Sequence, residues 1–262
     1  NAYFPMADSK YSEEIKFYKP KLRFIIPISN FQYPKKLFSE FKKTKYSFKI
    51  DQDFAKVIEL CKEIKRKDQD TWINEIILDT YIELHKIGKC HSVECYEDDN
   101  LIGGLYGLHI GSCFFGESMF SLKTNTSKFC LLYLLAILKK NNFSILDSQF
   151  FNPHLVQFGA YEMETEIYEN KLKDSLDYLI DTKQNRNTKG QFQSGFNFSL
   201  SFLMEDYGKF IDEGVSGTKY KVPNGSRFGF DTKMPPKGSI RTWMAQKKVR
   251  LRDLKTNSFK SL

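Results

Sequence analysis

Asp147 and Gln149, in LDSQFF, stand two residues apart in a run that reads as a buried strand. Residues two apart on a strand share a face, so the carboxylate can sit behind the amide and orient it toward a reacting group. Glutamine is no strong base, and such a pair works by orientation and electrostatics. The same two residues also fit a strand-end aspartate bonding local backbone beside a glutamine without a chemical task. A second carboxylate, Glu117, lies in FFGESMFS among three phenylalanines and a methionine. A charge in that company has to be paired, hydrogen-bonded or neutralised. It suits a substrate-holding role or a structural salt bridge.

The chain that must position these residues has 262, enough for one large domain or two small ones. Its 41% hydrophobic content is ordinary for a globular protein. The richest apolar run, FCLLYLLAILKK, falls short of the roughly 18 residues that a membrane span needs. No signal peptide is visible at Asn1, and a chain that starts without Met reads as trimmed or incomplete there. Cys61, Cys90, Cys95, Cys113 and Cys130 form no CxxC pair. That scattered set points to reduced thiols in a cytoplasmic protein and to no metal site of the zinc type. The net charge of +8 is unevenly spread: residues 1–90 hold 18 Lys+Arg against 13 Asp+Glu, residues 91–180 hold 6 against 12, and residues 181–262 hold 16 against 7. Basic parts suit phosphate and an acidic part suits a cationic partner. Differently solvated surfaces produce the same blocks.

Periodicity supplies the frame. KLFSEFKKTKYSFKI reads as a basic amphipathic helix running into a strand. DQDFAKVIELCKEIKRK and DTWINEIILDTYIELHKIG read as amphipathic helices, the first behind possible caps at Asp51 and Asp53, the second ending at Gly88. HSVECYEDDNLIGGLYGLHI reads as a hairpin turning at EDDN, and GSCFFGESMFS as a further strand. TNTSKFCLLYLLAILKKNN is a helix, FSILDSQFF a strand, HLVQFGAYEME a loop and TEIYENKLKDSLDYLI a closing helix. Antiparallel strands, a helix packed across them and another strand make an α+β sheet protein. DTKQNRNTKGQFQSG is polar, without apolar period, and reads as a linker.

DTWIN (Asp70 to Asn74), HSVECY…GGLYG…FFGESMFS (His91 to Ser121) and LDSQFFNPHLVQFGA (Leu146 to Ala160) occur in an order that resembles the leucyl/phenylalanyl-tRNA–protein transferase family. The resemblance runs from FPMAD at Phe4 through YLI near Ile180, and takes in TSK (Thr126 to Lys128). It implies an acetyltransferase-like (GNAT-like) mixed sheet with packed helices over residues 69–180. Ahead of it comes a small N-terminal α+β domain, residues 1–68, truncated relative to the family. Residues 181–195 are then the linker, and 196–262 a basic C-terminal appendage that has some likeness to small phage tail or neck proteins. The implied activity moves Leu, Phe or Met from aminoacyl-tRNA to the N-terminal Arg or Lys of an acceptor protein, marking it for degradation. A cytoplasmic monomer with no metal or nucleotide cofactor is implied. Two alternatives stand beside it: a virion protein carrying an inactive transferase-like part, and an acyltransferase acting on another acceptor, such as a peptidoglycan precursor.

An aminoacyl ester is already activated, so the neutral acceptor amine needs orientation and a route for its proton. The resemblance implies that Asp147 orients Gln149, that the Gln149 side-chain oxygen accepts from the amine, and that Glu117 orients substrate. Ser148 stands where the family has Thr or Cys, and Met6 where many members carry Trp. Leu105, Phe114, Leu131, Leu134, Leu138 and Leu146 match positions lining the family's Leu/Phe pocket, although periodicity alone makes them core. Trp72 and Tyr81 match aromatic positions near the terminal adenosine, where stacking on a base contributes roughly 1–3 kcal/mol. Ser118 and Ser121 fit sugar or phosphate contacts, or turns. Lys35, Lys36, Lys42, Lys43, Lys45 and Lys49 are candidate tRNA phosphate contacts, and Glu162, Glu164 and Glu166 suit a cationic acceptor or plain solvation. His91 reads as structural.

Overall fold

The structure, a computed structural model, describes residues 2–29, 31–64 and 71–182. The segment 196–262 and all but the start of 181–195 lie outside the described residues.

Two short strands, β1 (Phe4–Met6) and β2 (Lys16–Tyr18), pair antiparallel with each other. Then come β3 (Leu22–Ile26), α1 (Lys35–Lys43) and β4 (Ser47–Ile50). The helices α2 (Phe54–Glu63) and α3 (Glu75–Lys86) follow. Asn74 caps α3, its side chain accepting from the Ile77 amide at 2.9 Å. The hairpin β5 (Cys90–Glu97) and β6 (Asn100–Ile110) turns at Asp98–Asp99, and β7 (Cys113–Ser121) continues the meander. After α4 (Thr126–Lys140) and β8 (Ile145–Asp147), a single turn at Val156–Phe158 leads to β9 (Tyr161–Glu164) and α5 (Thr165–Thr182).

Seven strands form one sheet in the order β4-β5-β6-β7-β8-β3-β9. Among the described strands, only the β7–β8 pair is parallel. The α+β class and the mixed sheet with packed helices are therefore as the sequence implied. β3 and β4, both from residues 1–68, are members of the same sheet as the strands of residues 69–180. YEME, expected as loop, is the edge strand β9.

Strand alternation sends neighbouring side chains to two apolar layers. On one face, α1 and α4 pack with Phe24, Ile26, Leu105, Phe114 and Leu146. α4 is buried from Phe129 through Leu138 without a polar stripe, which suits a helix enclosed on all sides. On the other face, α2 and α3 pack with Tyr106 and Phe120, and α5 packs with Ile25, Cys113 and Ile145. The glycines of GGLYG let these layers close. A Cβ on Gly107 would stand 2.3 Å from the Phe115 carbonyl oxygen and 2.4 Å from the Phe114 ring. All five cysteines are buried with free thiols. No helix among the described residues is long and apolar enough to cross a membrane.

Candidate active site

The parallel pair β7–β8 is short. Cys113 pairs with Ile145, Phe114 with Leu146 and Phe115 with Asp147, and there β8 ends while β7 runs on beside β6. The two chains diverge beyond this point. On β7 the register against β6 also slips: Gly107 faces Gly116 and Tyr106 faces Ser118, which leaves Glu117 with no residue opposite. Such a bulge re-aims its side chain. Gln149, two residues past Asp147, has a left-handed backbone, φ 67°. Across the gap, Gln149 Nε2 donates to Glu117 Oε2 at 2.9 Å.

This corrects how Asp147 and Gln149 were expected to be related. They do not share a strand face, because the strand stops at Asp147 and the chain turns. The contact is through backbone: Asp147 Oδ1 accepts the Gln149 amide N–H at 2.8 Å. That bond supports a conformation which a non-glycine residue adopts at a cost of roughly 1–3 kcal/mol. Asp147 thus bonds the local backbone at Gln149 and makes no contact with its side-chain amide among the hydrogen bonds described. Its other oxygen, Oδ2, is ion-paired with Arg23 and accepts from the Tyr168 hydroxyl at 2.7 Å. Arg23 is 1% exposed and Asp147 0%. Neither Arg23 nor Tyr168 was picked out from the sequence. A signal was present for the first: of the two arginines before residue 181, Arg23 alone interrupts an apolar run, LRFII, and a buried aspartate requires a cationic partner.

Glu117 is partly buried, with its carboxyl crowded by protein atoms on the α3 side. Loss of water raises its pKa to about 7; the hydrogen bonds from Gln149 and Tyr81 oppose the rise, the Asp147 charge adds to it and Arg23 subtracts. Tyr81, buried and bonded to the same carboxyl, has its own pKa pushed well up, first by burial and then by the Glu117 charge. A carboxyl whose folded pKa lies above its unfolded value binds more protons folded than unfolded between those two values. Stability then falls as pH rises from about 4.5 to about 7. Glu117→Gln should remove this slope, so chemical denaturation of wild type and variant at pH 5 and pH 8 should show the variant gaining stability relative to wild type at the higher pH. Parallel pH profiles would mean that Glu117 is not held near neutrality.

The remaining candidates divide between the two faces. Trp72 is half-buried and packs with Tyr81 against the α2–α3 layer, on the side of Glu117. Its carbonyl accepts from the Ala7 amide at 3.1 Å. Ser118, also partly buried, lies opposite Tyr106. Ser121 Oγ accepts from the Ser127 amide at 2.9 Å and helps to cap α4. Leu105, Phe114, Leu131, Leu134, Leu138 and Leu146 are all buried in one cluster on the opposite face. Lys35, Lys36, Lys42 and Lys43 are exposed on α1, away from the buried Leu37, Phe38 and Phe41. With spacings of seven they form two adjacent stripes. His91 is structural in its contacts, its ring bonded to Asp51 at 2.7 Å and to His109 at 2.9 Å.

A glutamine held by one carboxylate through its backbone N–H and by another through its side-chain amide, where two parallel strands of a mixed sheet end their pairing, makes this an α+β protein with a polar site suited to group transfer. The chain belongs to the leucyl/phenylalanyl-tRNA protein transferase family, whose model matches residues 25–173. It is 41% identical over 243 residues to a leucyl/phenylalanyl-tRNA–protein transferase of Zymomonas mobilis, covering 86% of this chain and 90% of that one. A match of that extent takes in residues beyond 180. The transferase of Hyphomonas neptunium is 42% identical over 173 residues, 66% of this chain and 67% of that one. That of Paramagnetospirillum magneticum is 41% identical over 173 residues, 66% and 83%. Among solved structures, L-PGS from Bacillus licheniformis aligns with a TM-score of 0.37 at 12% identity, over 53% of this chain and 50% of that one. The virion alternative finds no support in these comparisons.

Proposed function

We propose that this chain moves Leu or Phe from aminoacyl-tRNA to the N-terminus of an acceptor protein, with a peptide bond formed and the tRNA released. The observation that carries the proposal is the Gln149–Glu117 hydrogen bond across the diverging strands. With Nε2 committed to Glu117, Gln149 turns Oε1 toward the gap, where it accepts from the attacking amine. The ester is already activated, so placement of the amine supplies most of the rate. Glu117 holds the Gln149 amide and faces the amine or the terminal ribose, with Trp72, Tyr81 and Ser118 toward the adenosine; Ser121, bonded at the start of α4 on the other face, is left out of that contact. The bond to the ribose oxygen breaks as the amide forms, and the amine's proton leaves with that oxygen.

Acceptors beginning with Arg or Lys suit the acidic strand and helix start at Glu162, Glu164 and Glu166. The α1 lysines suit the tRNA backbone. An acetyltransferase-like topology, a monomer working in the cytoplasm and a catalytic unit ending near residue 180 complete the proposal. The test is labelled Phe-tRNA or Leu-tRNA offered to peptides starting with Arg, Lys or Ala. Transfer to Arg and Lys alone is expected; transfer to Ala at the same rate would remove the acceptor assignment, and no transfer to any would remove the function.

Two further outcomes are expected from the same assay. Leu105→Trp fills the apolar cluster and should reduce Phe transfer more than Leu transfer, because lost volume excludes the larger side chain first. An unchanged Phe/Leu ratio in folded protein would make Leu105 ordinary core. Ending the chain after Thr182 should preserve transfer and flatten the salt dependence of tRNA binding, since residues 181–262 hold 16 Lys+Arg against 7 Asp+Glu. Loss of transfer with the fold intact would make the tail part of the active unit.

A further inference from the structure

We propose that Arg23 and Tyr168 are positioning residues for the transfer: together they hold Asp147 in the orientation from which it fixes Gln149. This rests on the role given to Gln149 above. Asp147 has two oxygens with separate tasks. Oδ2 takes the Arg23 guanidinium and the Tyr168 hydroxyl at 2.7 Å. With that oxygen held, Oδ1 points at the Gln149 amide, 2.8 Å away. A carboxylate free to rotate would offer either oxygen, and the left-handed turn at Gln149 would lose its support.

The two residues that hold Asp147 are themselves fixed. Arg23 Nη1 donates to the Ala2 carbonyl at 3.1 Å. Its guanidinium lies over the Phe4 ring at 4.9 Å and the Tyr168 ring at 4.8 Å. Phe4 in turn meets the edge of Phe150, the residue after Gln149, at 5.0 Å. The next residue along β3, Phe24, binds the other side of the same turn: its amide donates to the Gln149 carbonyl at 3.2 Å, and its carbonyl accepts from the Ser148 amide at 2.9 Å. The neighbours Arg23 and Phe24 therefore grip one three-residue turn from two sides, the first through Asp147 and the second through backbone. Arg23 and Tyr168 touch the chemistry only through Asp147.

Tyr168→Phe removes one hydroxyl and leaves the ring under the guanidinium. Losing a hydrogen bond to a buried charge should slow single-turnover transfer about tenfold, with aminoacyl-tRNA affinity within about twofold and the melting temperature within a few degrees. In a Gln149→Ala background the same substitution should change the rate less than about twofold, because residues that act as one unit are not additive. An equal slowing in both backgrounds, or no slowing beside a slow Gln149→Ala, overturns the proposal while the role of Gln149 stands. A Gln149→Ala variant as fast as wild type removes that role and this proposal with it. Arg23→Lys keeps the charge but not the planar fork; if it folds, it should show the same dependence on Gln149.

Discussion

Gln149→Ala is expected to slow peptide-bond formation on the order of a hundredfold, with aminoacyl-tRNA affinity nearly unchanged. Gln149 bonds Glu117 at 2.9 Å, and in the proposed reaction it serves the acceptor amine, which arrives separately from the tRNA. Its removal leaves untouched the residues proposed for the donor side chain, the adenosine and the phosphates. It takes away the atom proposed to align the amine and one of the hydrogen bonds that restrain Glu117. Single-turnover rates and binding constants measured side by side separate the two effects. Equal losses in rate and affinity would mean that Gln149 shapes the tRNA site and does not serve the attacking group.

Arg23→Ala is expected to cost about 3–5 kcal/mol of folding stability. The magnitude comes from what remains behind. Asp147, 0% exposed, would keep the Tyr168 hydroxyl and the Gln149 amide but lose its cation. Removal of one partner from a buried pair leaves an uncompensated charge, which costs far more than the pair contributes when intact. Urea denaturation checks the size, and the double variant Arg23→Ala/Asp147→Asn checks the cause. If the loss is due to an unpaired carboxylate, neutralising it should restore part of the stability. A double variant weaker than Arg23→Ala by the full cost of Asp147→Asn would point instead to lost packing of the guanidinium between Phe4 and Tyr168.

The long elements were legible because their signals are local. The helices α2, α3 and α4 carry apolar period or an apolar run of helical length, and the β5–β6 hairpin alternates around an acidic turn. Among the short strands, β4 and β8 were legible, and β1, β2, β3 and β9 were not. LRFII is buried on both faces after its first residue, so it shows no alternation, and five residues do not distinguish strand from helix. YEME buries Met163 alone, too little apolar surface to stand out. At the site, Glu117, Asp147 and Gln149 were legible as unusual residues, but their geometry was not. A bulge shows itself only in the register of two strands, and the turn at Gln149 depends on an aspartate held from β3 and α5. Tyr168 looks like one more aromatic on an amphipathic helix until that aspartate is seen beneath it. Whether the six apolar candidates line a cavity or simply fill the core is decided by shape, which residue type does not encode.

The position of β3 between β8 and β9 has a consequence for synthesis on the ribosome. Arg23 and Asp147 are separated by 124 positions in the chain. At the usual 5–20 residues per second, that interval takes roughly 6–25 s to translate. Throughout it, LRFII has been made and its two partner strands have not. The hairpin and α4 can collapse as they emerge, since their contacts are local. The half of the sheet holding Arg23 must wait with an apolar strand and a buried-type cation both unpartnered. A nascent chain shorter than about residue 164, the end of β9, therefore lacks one edge of the sheet. The ion pair that steadies the turn at Gln149 becomes possible only after β8 has emerged, so chains ending before it lack the Arg23–Asp147 pair.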